Sequence, residues 1–442
     1  MKKIKLSRRD FMKNSAIMTG GMFAAPWGTQ NFFPAGTGEI KIALIGCGGR
    51  GTGAIVQALS VKENTRLVAM ADAFPDAVEE CYKKIMNPET SDGKDLKSRI
   101  QVPESNKFHG FDAYKKAMEL ADVVILTTPP GFRPMHFEEA VRQGKQIFME
   151  KPMAVDPAGI KRILDAAEIA KQKKLNVVVG LQRHYQKVYR EIMKRVHDGK
   201  IGDIVAGSVY WDNDGVWVRE RKAGQTEMEY QMRNWYYFNW LCGDHITEQH
   251  IHNLDVMNWA KQGYPVRAQG MGGRNVRVGK EFGEIFDHHF VEFEYADGTI
   301  LSSQCRHQPG TLSRVDEHLI GTKGSVICGT GIMKDRKGKA IFQHDAKNDP
   351  NPYQVEHDEL FAAIAKGEYK FADAENGAKS TMTSILGRMA TYSGQVVEWD
   401  KAINSGINIM PKVFEWDANP PLLPDANGMY PCAVPGVTKF FT

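Results

Sequence analysis

Short apolar runs alternate with segments of helical pattern over the first half of the chain. Residues 40–46 (IKIALIG) form a continuous apolar run, and residues 66–72, 121–129 and 146–152 repeat this character. Uninterrupted apolar runs of this length are typical of strands that are buried on both faces of a parallel sheet. Because helical segments separate the runs, we predict a doubly wound α/β fold, in which ligands bind at the carboxyl ends of the strands.

A glycine-rich loop follows the first predicted strand. Gly46, Gly48 and Gly51 complete the pattern G-x-G-x-x-G, with Gly49 and Arg50 inside it. In this motif the first glycine permits a tight turn, the second lets the backbone approach a pyrophosphate, and the third lets the next helix pack against the strand. The unpaired N–H groups at the start of that helix would point at the phosphates. The loop therefore predicts a dinucleotide-binding Rossmann domain.

The ends of the other predicted strands supply further groups to the same site. The second strand ends at Asp72, 21 residues beyond Gly51. A carboxylate at that distance binds the ribose hydroxyls and repels a 2′-phosphate, so we predict NAD as the cofactor rather than NADP. Five residues follow two further strands and are expected to line the nicotinamide pocket: Thr128, Pro129, Glu150, Lys151 and Pro152.

A second cluster of titratable residues lies in residues 243–260 (GDHITEQHIHNLDVMNWA). Read as one helix, this segment places His245, Glu248, His252 and Asp255 within about 80° on one face. An imidazole beside two carboxylates is suited to act as a general base for a hydroxyl proton. We predict that His252 is this base and that Glu248 and Asp255 assist it. The alternative is a polar stripe that faces solvent.

The histidines of this segment also raise the question of a metal site. On a helix, the side chains of His250 and His252 diverge by about 160° and cannot bind one ion. His245 and His252 share a face but lie two turns apart, so a metal would need ligands from outside the segment. We therefore predict no metal.

An aromatic-rich stretch precedes this cluster, in residues 209–218 (VYWDNDGVWV) and 233–241 (RNWYYFNWL). Aromatic rings beside arginine and asparagine can stack on sugar rings and bind their hydroxyls, but such rings can equally form core. On the first interpretation, Arg233, Asn234 and Trp235 are candidate substrate-binding residues.

The composition excludes several classes of protein. Hydrophobic residues make up 42% and charged residues 25% of the 442 residues, which is typical of globular proteins and not of disordered chains. No apolar run approaches the roughly 20 residues that span a bilayer, so we expect no integral membrane protein. The net charge of +4 comes from residues 1–38, because the rest of the chain has 51 basic and 52 acidic residues. Charge therefore gives no support for a nucleic-acid partner.

The basic N-terminus has the layout of an export signal. Residues 7–13 (SRRDFMK) are typical of a twin-arginine signal, and an uncharged stretch rich in glycine and alanine follows them. We predict that residues 1–38 are a signal and linker and that the folded protein is exported to the periplasm. The alternative is an N-terminus that is merely basic.

Taken together, these motifs resemble the Gfo/Idh/MocA family of oxidoreductases. The resemblance covers essentially residues 39–400, and the Glu-Lys-Pro triplet with the downstream histidine is its most specific part. Its other features are the glycine loop, Asp72, the TTPP run with His136 after it, GLQRHY (180–185), DHHFVEFEYADGT (287–299) and GTKGS (321–325).

The resemblance implies a two-domain architecture. The N-terminal domain, residues 39–180, is expected to be the NAD-binding Rossmann domain. Residues 181–410 are expected to form a C-terminal α/β domain with a large, open, mostly antiparallel sheet, which often serves as a subunit interface. A homodimer or homotetramer is therefore expected, and residues 411–442 are expected to form a proline-rich tail.

The resemblance also assigns roles to individual residues. Lys151 would lie between the nicotinamide ribose and the substrate hydroxyl, and a cis peptide bond between Lys151 and Pro152 would turn it toward the cleft. His252 matches the family's histidine, whereas Glu248 stands where an aspartate is usual. His136 would contact the cofactor. Two residues would contact the substrate where the chain enters its second domain: Arg183 and His184.

These observations predict an NAD-dependent oxidoreductase that transfers a hydride between the cofactor and a sugar, polyol or sugar-derived substrate. The first alternative is an NAD-dependent glycosidase that transiently oxidises a hydroxyl of the sugar ring, eliminates, and then reduces the product again. The second alternative is a binding module that has kept the fold and lost the chemistry. Against this last reading, both Lys151 and His252 are present.

Overall fold

Six strands form a parallel sheet in the first half of the chain. The computed structural model describes residues 38–91 and 93–440, so the predicted export signal lies outside the described residues. The strand order is β3-β2-β1-β4-β5-β6, and all neighbours in it are parallel. The strands are β1 (Ile40–Ile45), β2 (Thr65–Asp72), β3 (Lys107–His109), β4 (Val123–Leu126), β5 (Gln146–Met149) and β6 (Val177–Val179).

This order confirms the predicted doubly wound fold. The chain leaves β1 on one side toward β2 and β3 and returns on the other side to β4, β5 and β6, so the crevice for a ligand opens between β1 and β4. The buried apolar runs form the strands, because a parallel sheet with helices on both faces has no solvated face. The helices of this half are α1 (Gly49–Ala58), α2 (Pro75–Met86), α3 (Ala113–Glu119), α4 (Arg133–Arg142) and α5 (Pro157–Gln172).

Nine strands form a second sheet, with the order β14-β13-β12-β11-β7-β10-β9-β8-β15. Its neighbours are antiparallel except β7 and β10, which run parallel, so the predicted mostly antiparallel sheet is confirmed. The strands are β7 (Ile204–Asn213), β8 (Arg267–Gly273), β9 (His288–Glu294), β10 (Ile300–His307), β11 (Arg314–Gly321), β12 (Gly324–Ile327), β13 (Ile332–Asp335), β14 (Ala340–Gln343) and β15 (Val397–Glu398).

Eight helices accompany the second sheet within the described residues. They are α6 (Lys187–His197), α7 (Glu227–Arg233), α8 (Asn239–Cys242), α9 (His245–Glu248), α10 (Ile251–Lys261), α11 (Pro352–Ala365), α12 (Ala374–Ser393) and α13 (Trp399–Ile403). None of the helices in the described ranges combines the length with the hydropathy that a bilayer crossing requires.

Helix α12 joins the two sheets. On one side it packs against β8 and β9, where a Cβ built on Gly387 would lie 2.7 Å from the Phe293 ring. On the other side its Thr381 hydroxyl accepts a hydrogen bond from the Met153 N–H at 3.1 Å, just beyond β5. The helix is buried along most of its length, because it serves as core for both halves. Residues 39–442 accordingly cluster as one compact unit, and the domain boundary at residue 180 stays a prediction.

The last part of the chain is irregular but packed. Residues 404–440 contain no helix or strand. The Trp416 ring lies 4.9 Å from Phe74 and 4.6 Å from Phe111, both in loops that follow strands of the parallel sheet. The tail therefore closes over the edge of the first half rather than extending away from it.

Candidate active site

The carboxyl ends of β1, β2, β4 and β5 open into a cavity of about 1160 Å³. Residues of the second half close this cavity from the opposite side, chiefly β7, the loop after it, α7 and the junction of α9 with α10. A volume above the roughly 300–1,000 Å³ of a pocket for one small ligand leaves room for a dinucleotide and a second molecule.

Close backbone contacts require two of the three motif glycines, and the third borders open space. Gly46 has a φ of 97°, and a Cβ there would lie 2.5 Å from the Thr128 nitrogen. A Cβ on Gly51 would lie 2.0 Å from the Gly46 carbonyl oxygen, so only glycine lets α1 approach β1 this closely. A Cβ on Gly48 or Gly49 would meet no atom within 4 Å. The loop therefore leaves open space where a pyrophosphate would bind.

The start of α1 offers donors to that space. Gly48 is the N-cap and provides no side-chain hydrogen bond, so the first N–H groups of α1 keep their capacity for a phosphate. Asp72 lies at the end of β2, and its carboxylate accepts hydrogen bonds from the Cys47 N–H at 2.7 Å and the Phe74 N–H at 3.0 Å. Burial raises the pKa of Asp72, while the two backbone donors favour its charged form. Two amides thus fix the carboxylate that is predicted to bind ribose.

Arg50 and Glu150 form an ion pair beside the loop. The Arg50 Nε lies 2.5 Å from Glu150 Oε1, and the guanidinium also lies 4.8 Å from the centroid of the Tyr353 ring. Both residues of the pair line the cavity, as predicted. Glu150 thereby fixes the direction of Arg50, which stands at the open side of the glycine loop.

Thr128, Pro129 and His136 line the same part of the cavity, whereas Pro152 does not. The His136 Nδ1 lies 3.1 Å from the Thr128 hydroxyl oxygen. Burial, with the nearby Arg133, lowers the pKa of His136 to about 3, so this imidazole is neutral. The peptide bond between Lys151 and Pro152 is cis, as the resemblance implies.

Lys151 contacts Glu248 across the cavity. Its Nζ donates to the Glu248 backbone carbonyl at 2.6 Å and to the Glu248 Oε1 at 3.0 Å. Lys151 and Glu248 are both largely buried, with 13% and 15% of their side chains exposed. A lysine ammonium has three donors, so one N–H stays available to a ligand in the cavity.

The predicted single helix over residues 243–260 is wrong. The structure has two helices, α9 and α10, with Gln249 and His250 between them. In one continuous helix, the Glu248 carbonyl would accept the His252 N–H, but His252 N–H donates instead to the Gln249 carbonyl at 3.3 Å. The break therefore frees the Glu248 carbonyl to accept the hydrogen bond from Lys151.

His252 lies at the cavity next to this junction. It is 6% exposed, and its Nδ1 has no hydrogen-bond partner among the residues that the structure describes. The Trp211 ring stacks against it with the ring centroids 5.9 Å apart and 24° between the planes. Burial and the positive charge of Lys151 lower the pKa of His252 well below its ordinary value. The imidazole is therefore neutral and able to accept a proton.

Asp255 does not assist His252, contrary to the prediction. Its carboxylate binds the His184 Nε2 at 2.7 Å, the Ser380 hydroxyl at 2.7 Å and the Asn376 amide at 3.1 Å. Burial alone would raise the pKa of Asp255, but the charge of His184 and the hydrogen bonds to the carboxylate lower it below the ordinary value. Because α10 turns this residue toward α12, its role is to hold the two helices together.

Three of the predicted substrate-binding residues lie outside the cavity lining. Arg183 is buried in an ion pair with Glu317, and His184 is held by Asp255 and stacks on Trp259. Asn234 is fully buried. Its side-chain amide links two backbone segments, because it accepts a hydrogen bond from the Arg219 N–H and donates one to the Glu281 carbonyl. Polar sequence neighbours of a site are often used in this way to fix loops.

Arg233 and Trp235 do line the cavity. Arg233 forms two hydrogen bonds with Asp76, at 2.7 and 3.0 Å, and its guanidinium lies 3.7 Å from the centroid of the Phe74 ring. This places Arg233 next to the segment that follows Asp72, where a nucleotide would bind, rather than next to Lys151. Trp235 lies closer to the catalytic groups, through its contact with Tyr236.

His245 is absent from the cavity lining and lies in the core. Asp244, His245 and His289 bring ligand-type atoms within 4.8 Å of one another, so ligands from outside the histidine segment do approach it. The Asp244 carboxylate, however, already accepts hydrogen bonds from the Tyr392 hydroxyl at 2.5 Å and the Phe286 N–H at 3.1 Å. We assign this cluster a structural role at the start of α9, where Asp244 has a φ of 72°.

Several lining residues were missed as individual candidates. They share an aromatic or amide side chain, and they are Trp211, Trp217, Gln249 and Tyr353. The aromatic-rich stretch contains Trp211 and Trp217 and was the signal for these two. Gln249 could not be found from the sequence, because its exposure to the cavity depends on the break between α9 and α10.

Comparisons with known proteins agree with this geometry. A family model described as "Oxidoreductase family, NAD-binding Rossmann fold" matches residues 40–181, and one described as "GFO/IDH/MocA C-terminal domain" matches residues 189–327. The inositol 2-dehydrogenase of Azotobacter vinelandii is 31% identical over 308 residues, which cover 65% of this chain and 81% of that protein. The chain belongs to the Gfo/Idh/MocA family.

Two further similar proteins, one of them with a solved structure, match a larger share of this chain. The inositol 2-dehydrogenase of Serratia proteamaculans is 26% identical over 375 residues, which cover 81% of this chain and 96% of that protein. The crystal structure of scyllo-inositol dehydrogenase from Lactobacillus casei, with bound NAD(H) and scyllo-inositol, superimposes with a TM-score of 0.60 at 19% identity. That superposition covers 82% of this chain and 99% of that chain, and it shows that the fold is shared.

This member of the Gfo/Idh/MocA family is an NAD-binding oxidoreductase, and its cofactor site fits the cofactor. The open space over Gly48 and Gly49, the uncapped start of α1 and the fixed carboxylate of Asp72 suit the pyrophosphate and a ribose. A carboxylate at Asp72 also opposes a 2′-phosphate, which agrees with NAD rather than NADP.

We expect Gly51→Ala and Gly48→Ala to separate stability from cofactor binding. Gly51→Ala forces a Cβ against the Gly46 carbonyl, so the protein should lose several degrees of melting temperature or fail to fold. Gly48→Ala adds a methyl group only to open space, so the melting temperature of the nucleotide-free protein should stay unchanged while the Kd for NAD rises at least about tenfold. Differential scanning fluorimetry and calorimetric titration with NAD measure both. Equal effects of the two variants on stability would contradict the assignment.

Proposed function

We propose that this protein oxidises a secondary hydroxyl group of a polyol or sugar with NAD. The observation that carries the proposal is the convergence of Lys151 and a neutral His252 at the carboxyl end of the parallel sheet, beside the open glycine loop. The names of the two inositol 2-dehydrogenases support a polyol or sugar as the substrate.

His252, Lys151 and Glu248 have different roles in the proposed reaction. When NAD is bound, its nicotinamide supplies the acceptor for the hydride that leaves the carbon. His252, which burial and Lys151 keep neutral, takes the hydroxyl proton. Lys151 uses its remaining N–H to hold the substrate oxygen, and Glu248 fixes Lys151 through its carbonyl and carboxylate. The products are a ketone, NADH and a proton on His252.

A second candidate function is glycoside cleavage through transient oxidation of a ring hydroxyl. The aromatic lining continues from Trp211, beside His252, to Trp217 and Trp235, which gives the cavity more length than one small ring needs. In this reaction the hydride returns to the substrate, so glycoside bonds break without net formation of NADH.

We expect the reaction to depend on His252 and to persist at low pH. The test incubates the protein and NAD with myo-inositol, aldoses and p-nitrophenyl glycosides, and follows NADH at 340 nm together with nitrophenolate. Because its lowered pKa keeps His252 in the accepting form, kcat/KM should not fall until the pH lies below the 6.5 of an ordinary imidazole. His252→Asn should reduce kcat by about 10²–10⁴-fold.

His197→Asn is the matched control, because His197 is an exposed histidine that contacts the Trp259 carbonyl and does not belong to the cavity lining. Net NADH supports oxidation of the substrate, whereas nitrophenolate without NADH supports the glycosidase. Full activity of His252→Asn, or a fall of kcat/KM at or above pH 6.5, would show that His252 is not the base.

We also propose that residues 1–38 direct export by the twin-arginine route. The support is the sequence around Arg8 and Arg9 and the uncharged stretch after it. Fused to a folded fluorescent reporter in a bacterium with this pathway, these residues should bring the reporter to the periplasm. Arg8→Lys together with Arg9→Lys should retain it in the cytoplasm, and Lys3→Arg should not. Equal export of both variants would refute the proposal.

We further propose that two or more copies associate through the open face of the nine-stranded sheet. Helices α10 and α12 cover one face, and apolar side chains stand exposed on the other. Met271 is 70% exposed and lies directly opposite Phe290 on the next strand; Ile300 and Ile320 point outward on β10 and β11. An apolar sheet face of this kind is typical of a subunit interface.

The mass in solution tests this proposal. Light scattering should give a multiple of the chain mass for the native protein and a lower multiple for Met271→Glu with Phe290→Glu, because two buried carboxylates oppose association. Tyr369→Glu changes an equally accessible aromatic residue outside the sheet and should leave the mass unchanged. A native protein with the mass of one chain would contradict the proposal.

A further inference from the structure

The cavity extends beyond the groups that the proposed oxidation uses. Trp217 stands in the loop after β7, six residues beyond Trp211, and both line the cavity. Trp211 stacks against His252 and thus lies where the reacting ring would bind. Trp217 is the next indole along the same wall.

Trp217 is held in place but not buried. Its ring lies 5.9 Å from Trp235 at an angle of 67° and 6.4 Å from Tyr236 at an angle of 71°. Neither neighbour lies parallel to the indole plane, and 41% of the residue is exposed. A large aromatic side chain that faces a cavity, fixed by edge contacts, is suited to stack on a ring of a ligand.

Tyr236 connects Trp217 to the catalytic groups. The Tyr236 side chain is buried and stacks on the His307 ring, with the ring centroids 5.8 Å apart. The His307 Nε2 lies 2.7 Å from Oε1 of Gln249, the residue that follows Glu248. Glu248 in turn binds Lys151. A series of contacts therefore leads from Trp217 through Tyr236 to the residues beside Lys151.

Arg219 adds free donors to the same place. Its guanidinium lies 5.2 Å from the centroid of the Trp217 ring, and it has no ion pair within the part of the chain that the structure describes. Two neighbouring arginines are already paired, Arg221 with Glu227 and Arg233 with Asp76. Arg219 can therefore give its N–H groups to hydroxyls of a ligand on Trp217.

We propose that Trp217 and Arg219 form an outer subsite for a second ring, so that the substrate is a glycoside, such as a disaccharide or an aryl glycoside. The reacting ring would lie by Trp211, Lys151 and His252, and the second ring would stack on Trp217. This inference rests on the proposed oxidation of a sugar hydroxyl, and it specifies the class of sugar. It holds for net oxidation and for glycoside cleavage alike, since both begin with the same oxidised hydroxyl.

Matched pairs of substrates test the subsite. Glucose is compared with cellobiose and p-nitrophenyl glucoside, and galactose with lactose, so that members of a pair differ only in the second ring. The native protein should have a kcat/KM at least about tenfold higher for the two-ring members. Trp217→Ala should lower that value about 10–100-fold, mainly through KM, and change the value for one-ring substrates less than about twofold. Trp217→Phe should keep part of the preference.

Two controls keep the result specific. Tyr369→Ala removes an aromatic ring that is also 41% exposed but lies outside the cavity, and it should change neither value. Calorimetry with NAD shows whether Trp217→Ala and Arg219→Ala leave the Kd for the cofactor unchanged, as expected.

The outcomes separate this inference from the proposed function. The outer subsite would be refuted if Trp217→Ala lost activity on both members of a pair, changed activity on neither, or raised the Kd for NAD. None of these results would contradict the proposed oxidation. Native protein that prefers one-ring substrates would refute it as well. If no sugar or polyol is oxidised or cleaved, the proposed function fails and the subsite fails with it.

Discussion

The contact between Lys151 and Glu248 is the interaction on which the site depends. It joins the end of β5 in the parallel sheet to the junction of α9 and α10 in the second half, and it uses a backbone carbonyl as well as a carboxylate. That carbonyl is available only because the helix breaks after Glu248. One local irregularity therefore positions the lysine, exposes Gln249 and directs His252 into the cavity.

Burial gives these groups their chemical properties. His252 and His136 both lose solvent, which lowers the pKa of each imidazole and leaves a neutral ring at two points of the cavity. Asp255, equally buried, stays charged because His184 and two neutral donors surround it. The same desolvation thus accompanies a neutral imidazole at His252 and a structural ion pair 3 residues along the same helix. His252 and Asp255 differ in charge because their neighbours differ, and not because one is buried more deeply than the other.

The first half could be predicted well because its signals are local. Apolar runs define β1, β2, β4 and β5, and the glycine pattern defines a turn whose spacing leaves no room for a Cβ at Gly46 or Gly51. The break between α9 and α10 could not be predicted, because its causes are tertiary. At the break, the Gln249 side chain contacts His307 and the His250 ring contacts Ser303, and both partners lie far away in sequence. A helical pattern over residues 243–260 contains no trace of those contacts.

The same reasoning explains which substrate candidates failed. Arg183, His184 and Asn234 have the residue types of a binding site, but buried partners from distant strands and loops use their polar groups. Trp217 and Arg219 stay available because, among the described residues, no aromatic ring stacks parallel to Trp217 and no carboxylate forms an ion pair with Arg219. A residue type shows what a side chain can bind. Whether it is free to bind a substrate depends on the partners that the fold has already given it.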